Sequence, residues 1–146
     1  MYYRDITPYE HSTYQKIPNV LNVGWLDKAQ DFEKGEPVHG FLDKLRQILI
    51  AEGEFECRVN HKRGVHACHI CGQNSFPELY VGSCELWLPS VETDNYFAAP
   101  STIIHYIQDH NYRPPQFFVE SVLQLCLKNS FNAELFYEIA KQYPGW

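Results

Sequence analysis

Apolar residues recur at spacings of three and four between Pro37 and Gly53, with Phe41, Leu42, Leu45, Ile48 and Leu49 falling on one stripe of a helical surface. Proline suits the first helical position and glycine the residue just past the end, so the pattern predicts a helix bounded by those two residues. Phe55, Cys57 and Val59 alternate with polar neighbours at the period of a strand. Residues 79–88 predict a second strand, bent at Gly82, with Cys84, Leu86 and Leu88 on one face and Glu85 and Trp87 on the other. Residues 21–25 alternate in the same way, and Tyr96-Phe97-Ala98-Ala99 reads as a short extended segment ended by Pro100. Ser101 is placed to cap a helix that turns Ile103, Ile104 and Ile107 inward and ends near His110-Asn111. Pro114-Pro115 breaks the chain and restarts it as a helix to about Lys128, with Phe118, Val122, Leu125 and Cys126 as the core side. Asn132 caps a last helix through Gln142, with Leu135, Phe136 and Ile139 inward and Pro144-Gly145 as its stop.

A small antiparallel sheet with helices segregated after it, about four helices in all, predicts an α+β fold. Residues 1–18 are tyrosine-rich and polar, with Pro8 and Pro18, and read as an irregular N-terminal arm. Tyr2, Tyr3, Tyr9 and Tyr14 in that arm either cover a small core or offer a contact surface. No internal repeat or low-complexity linker interrupts the chain, so 1–146 is expected to be a single domain.

Charge narrows the function classes. Twelve basic against eighteen acidic side chains give a net charge of −6. That disfavours a general nucleic-acid or anionic-membrane binder and suits docking onto a basic partner. The basic cluster His61-Lys62-Arg63, with Arg58, reads as a solvated loop. The sequence holds no apolar run long enough for a transmembrane helix and opens without the pattern of a secretory signal. Five cysteines, an odd number, do not resemble a disulfide framework, so a reducing, cytoplasmic setting is expected.

Cys57, Cys84 and Cys126 lie in apolar periodic contexts and are expected in the core. Cys68-His69-Ile70-Cys71-Gly72 is different. C-x-x-C lets two thiolates converge on one ion, and glycine after the second cysteine permits the left-handed backbone that such a knuckle needs. A thioredoxin-type reading requires a βαβ context, and no helical pattern follows this pair. Structural zinc takes four ligands, and no second C-x-x-C exists, so histidines are the candidates. His105 and His110 form H-x4-H at the end of a predicted helix. Five residues on an ideal helix place side chains about 140° apart, so a distorted last turn at Asp109-His110-Asn111 is required to bring them together. His66 and His69 compete as ligands. Knuckle, hairpin and histidine-bearing helix would follow one another in a treble-clef-like order. No metalloprotease or deaminase signature accompanies the site, and the spacing of Glu78, Glu85 and Asp109 selects none of them as a base.

Several strings resemble an uncharacterised family of small bacterial proteins: Val23-Gly24-Trp25-Leu26-Asp27, Phe41-Leu42 with Leu45, and Arg63-Gly64-Val65-His66-Ala67-Cys68 with Cys71. Tyr96-Phe97-Ala98-Ala99-Pro100, His105-Tyr106, His110 and Tyr112-Arg113-Pro114-Pro115 with Phe118 complete the likeness over about residues 20–125. The resemblance implies that the knuckle and the histidine-bearing helix belong to one module; it implies no activity.

The expectation is a domain clipped by Zn2+ through Cys68, Cys71, His105 and His110, acting as a non-enzymatic protein-binding module. An inhibitor or immunity protein that neutralises a basic toxin domain is the concrete form. The alternatives are a zinc-dependent hydrolase with an open coordination site and a zinc-finger nucleic-acid binder.

Overall fold

The structure, a computed structural model, describes residues 2–11 and 16–142; Tyr14, Pro144 and Gly145 lie outside that range. The described residues form four helices, a mixed five-stranded sheet and a two-stranded ladder, an α+β architecture. The elements are β1 (Pro8–Tyr9), β2 (Ile17–Asn22), α1 (Phe41–Ile50), β3 (Phe55–Glu56), β4 (Arg58–Val59), β5 (Glu85–Pro89), β6 (Tyr96–Pro100), α2 (Ile103–His110), α3 (Gln116–Gln124), β7 (Phe131–Asn132) and α4 (Ala133–Gln142).

The main sheet runs β1-β2-β6-β5-β4. It is not purely antiparallel, as the sequence suggested: β2 pairs with β6 in parallel, Val20 opposite Tyr96. The chain between those strands carries α1 and β3–β5, long enough for the crossover that parallel pairing needs. The β3–β7 ladder is parallel too.

Both faces of the sheet are covered. One carries Leu86, Leu88, Phe97 and Ala99 against Phe41, Leu45, Ile48 and Leu49 of α1, Ile103, Ile104 and Ile107 of α2, and Phe118 and Val122 of α3. The other carries Trp87 and Ala98 with Tyr9, Ile17, Val20 and Val59, and α4 covers it with Ala133, Tyr137 and Ala140. Sheets buried on both faces read as near-continuous apolar runs, the character of Glu85-Leu86-Trp87-Leu88 and Phe97-Ala98-Ala99. The two-phase reading of β5 therefore holds, but both phases are buried.

Several predicted boundaries move for local reasons. α1 begins at Phe41 rather than Pro37 because Gly40, at φ 81°, turns the chain into the helix. β5 begins at Glu85 rather than Leu79 because Tyr80 and Gly82 have positive φ and fold residues 78–83 into turns. Cys57 falls in a break between β3 and β4, which sends Phe55 and Val59 to opposite cores. The α3 helix stops at Gln124 with Leu125 extended, so Cys126 is exposed instead of buried. Asn132 does cap α4, its Oδ1 accepting the Glu134 N–H at 3.0 Å. The face of α4 differs: Leu135 is 62% and Ile139 44% exposed, whereas Tyr137 and Ala140 pack inward.

The segment read as an irregular arm contributes β1 and the first residues of β2. Tyr9 is fully buried and donates to the Glu85 carboxylate at 2.7 Å, while Tyr2 is exposed. Asp5 accepts the Gly24 N–H at 2.9 Å and the Tyr112 hydroxyl at 2.7 Å, tying the arm to the chain beyond α2. Gly24 at φ 78° ends the β2 passage, and a Cβ there would meet Ile103 at 2.9 Å.

Candidate metal centre

The knuckle is built as its sequence implies. The Cys68 carbonyl accepts the Gly72 N–H at 2.9 Å and the Cys68 N–H donates to the Gln73 carbonyl at 2.8 Å, while Gly72 takes φ 79°. The Ile70 N–H donates to Cys68 Sγ at 3.3 Å. Burial raises the Cys68 thiol's pKa, and backbone N–H groups of Cys71 and Ile70 oppose that rise by stabilising a thiolate.

The histidines come from α2, which starts directly after β6. Ser101 does not cap this helix: its hydroxyl donates to the Tyr80 carbonyl at 2.8 Å and accepts from the Gly82 N–H at 2.9 Å and the Cys84 N–H at 3.3 Å. It thereby pins the turns before β5 to the start of the helix. The last turn of α2 is widened. The Asn111 and Tyr112 N–H groups both reach the Tyr106 carbonyl, five and six residues back instead of four, and Asn111 is left-handed at φ 58°. Widening advances each residue by a smaller angle around the axis, so positions five apart draw onto a common face. This is the distorted turn that the H-x4-H spacing demanded.

Cys68, Cys71, His105 and His110 are thereby brought together, with one ligand atom from each lying within 4.8 Å of the other three. Cys68 Sγ is 3.5 Å from His110 Nε2, and Cys71 Sγ is 3.5 Å from His105 Nε2. The group is close enough to hold a metal ion, and two thiolates with two imidazoles form a soft, tetrahedral donor set. Cys68 and His105 are buried, and Cys71 is exposed at the outer edge. The Phe76 ring packs edge-on to His105 with centroids 4.9 Å apart.

Asp109, which its spacing did not select as a base, has a different place in the structure. Its carboxylate lies 2.9 Å from His105 Nδ1, leaving Nε2 for the cluster. The i,i+4 spacing of the two residues was the available signal. A carboxylate on the far nitrogen fixes the tautomer and ring orientation of a ligating histidine. Asp109→Ala is expected to weaken metal binding by roughly 10–100-fold without unfolding the chain, as read by competition with a chromophoric chelator.

The other candidates lie elsewhere. His69 Nδ1 faces the Asp27 carboxylate at 4.0 Å, and the His66 backbone N–H donates to the Gly82 carbonyl at 2.9 Å. Both line a cavity of about 390 Å3 beside the knuckle. Glu78 pairs with Arg46 at 3.4 Å, and Glu85 is buried beneath the cavity. Burial raises the pKa of Cys57, and that of Cys84 to about 11, so both stay thiols and pack as small apolar groups.

Gly82 at φ 85° couples the turns to the knuckle. A Cβ there would sit 2.7 Å from Val65 Cγ1 and 3.1 Å from the His66 carbonyl oxygen. Gly82→Ala is therefore expected to cost about 2 kcal/mol or more in thermal unfolding and to displace the chain leading into Cys68.

No helix among the described residues is long and apolar enough to cross a membrane. No curated protein and no solved structure matches the chain. One family profile does, over residues 1–123, a span that begins at the N-terminal arm rather than near residue 20, includes all four cluster residues and stops inside α3. The chain belongs to the family described as Domain of unknown function (DUF7919).

Proposed function

We propose that the protein is a non-enzymatic, zinc-stabilised binding module in which Zn2+ on Cys68, Cys71, His105 and His110 has a structural role. The observation that carries this reading is the donor set: four ligand atoms from a knuckle and a helix, all within 4.8 Å of one another. Two thiolates balance the charge of the ion, and four protein ligands complete its tetrahedron. A catalytic site keeps a position open for water and a base beside it. Here Asp109 is engaged by His105 and Glu78 by Arg46, which favours the structural reading over the hydrolase.

X-ray absorption at the zinc edge of the purified protein is the test. About one equivalent of zinc with two sulfur and two nitrogen neighbours is expected. A shell containing an exchangeable oxygen would overturn the structural role.

The partner that the charge of −6 favours is a basic protein domain, in the manner of an inhibitor or immunity protein bound to a toxin. Such a complex is expected to form with nanomolar affinity, to weaken as salt is raised, and to proceed without turnover of either chain. A co-purifying partner whose affinity ignores ionic strength would count against it.

A further inference from the structure

We propose that the cavity between the N-terminal arm, the segment leading into the knuckle and the start of α2 binds a small primary amine with an apolar or aromatic body, its ammonium group seated on Glu85. The proposal does not depend on which ion the cysteines hold.

The cavity, of about 390 Å3, is of the size that encloses small organic ligands. Its walls are mainly apolar and aromatic, formed by Trp25, Leu26, Ala67, Pro100 and Tyr106. Glu85 also lines it and is only 3% exposed. This carboxylate has three donors: the Tyr9 hydroxyl at 2.7 Å and the Trp87 indole N–H at 3.3 Å on Oε1, and the Asn60 amide on Oε2. Among the described residues no cation stands within ion-pair distance of it. Lys62, at the mouth, is exposed, with Nζ 3.3 Å from Asn60 Oδ1.

A carboxylate accepts about four hydrogen bonds, so Oε2 has capacity left. A buried carboxylate without a counter-charge is costly, and burial does raise the pKa of Glu85. Lys62 acts on Glu85 only from beyond contact, and a bound ammonium group would add a further donor and a counter-charge in direct contact. Trp25 and Tyr106 suit the rest of such a ligand, since aromatic faces attract cations and pack well against apolar bodies. His11 also lines the cavity, tilted against Trp25 with ring centroids 4.6 Å apart, and burial lowers its pKa, which favours the uncharged ring beside a cation. An anionic ligand, by contrast, would have to bring its charge towards Glu85.

The test titrates the metal-loaded protein with phenethylamine and, separately, with 3-phenylpropionate, which has the same ring but the opposite charge. The readout is the NMR signals of the Trp25 and Trp87 indole N–H groups. Saturable shifts at both indoles with the amine, at a Kd of about 1 mM or tighter, and none with the acid, are expected. Glu85→Gln should weaken the amine at least about 10-fold. Ala67→Phe, at an exposed position on the cavity rim, should block binding while leaving the β5 and β6 signals in place, which keeps the proposal testable if the Glu85 variant fails to fold. No saturable shift with phenethylamine, equal binding of the acid, or an unchanged affinity in Ala67→Phe would each overturn the proposal.

Discussion

Cys68→Ser is expected to abolish stoichiometric zinc and to destabilise the protein more than any single core truncation. Structural zinc is bound with apparent free energies of about 10–16 kcal/mol in zinc-finger peptides, and that binding energy is folding energy where the site forms only on folding. The clamp here joins residues more than thirty positions apart, since Cys71 and His105 are separated by 34 in sequence. The knuckle segment buries only Cys68 fully, and residues 61–67 are exposed, so it has little apolar packing to hold it once the ion is lost. A total stability of about 5–15 kcal/mol would lose a large share. His105→Ala should behave alike, because His105 is buried and joined to Asp109. His110→Ala should lose less, because His110 is only half-buried at the helix end. Metal analysis together with thermal unfolding, with and without chelator, checks all three. Wild-type unfolding that is indifferent to chelator, in protein shown to contain zinc beforehand, would remove the structural role.

Trp87→Ala should rank next, with a loss of about 3–5 kcal/mol. Trp87 is fully buried and packs edge-on between Tyr9 and Tyr137, with ring centroids 5.0 and 5.1 Å away. It joins the N-terminal arm, the sheet and α4. For a chain of about this size each kcal/mol moves the melting temperature by roughly 2–4 °C, so a drop of about 6–20 °C is expected in calorimetry. Trp87→Phe restores most of the volume but removes the indole N–H from Glu85 and should cost about 1–2 kcal/mol. Equal losses in the two variants would show that the hydrogen bond, not the ring, dominates at this position.

Much of the candidate metal centre was legible in the chain because its signals are local. C-x-x-C-G specifies a knuckle, and H-x4-H at a helix end pointed both to the ligands and to the need for a distorted turn. What separated His105 and His110 from His66 and His69 was not local. His66 and His69 are nearer in sequence to the cysteines, but His69 faces Asp27 and neither joins the cluster that the fold gathers from the knuckle and α2. The buried face of α4 was misread because Leu135 and Ile139 are more apolar than Ala140, yet the close approach of the helix to the sheet selects the small Ala133 and Ala140.

By itself the sequence determined the apolar stripes of α1 and α2, the strand character of the central segments and the C-x-x-C knuckle with its candidate histidines, since each is written in a period or a spacing of a few residues. The parallel pairing of β2 with β6, the covering of the second sheet face by α4, and the burial of Glu85 beneath Asn60, Tyr9 and Trp87 were decided only by tertiary structure. Those juxtapositions join residues as far as 76 positions apart, and no local periodicity carries them. They arise because two apolar faces and one long crossover must be buried together.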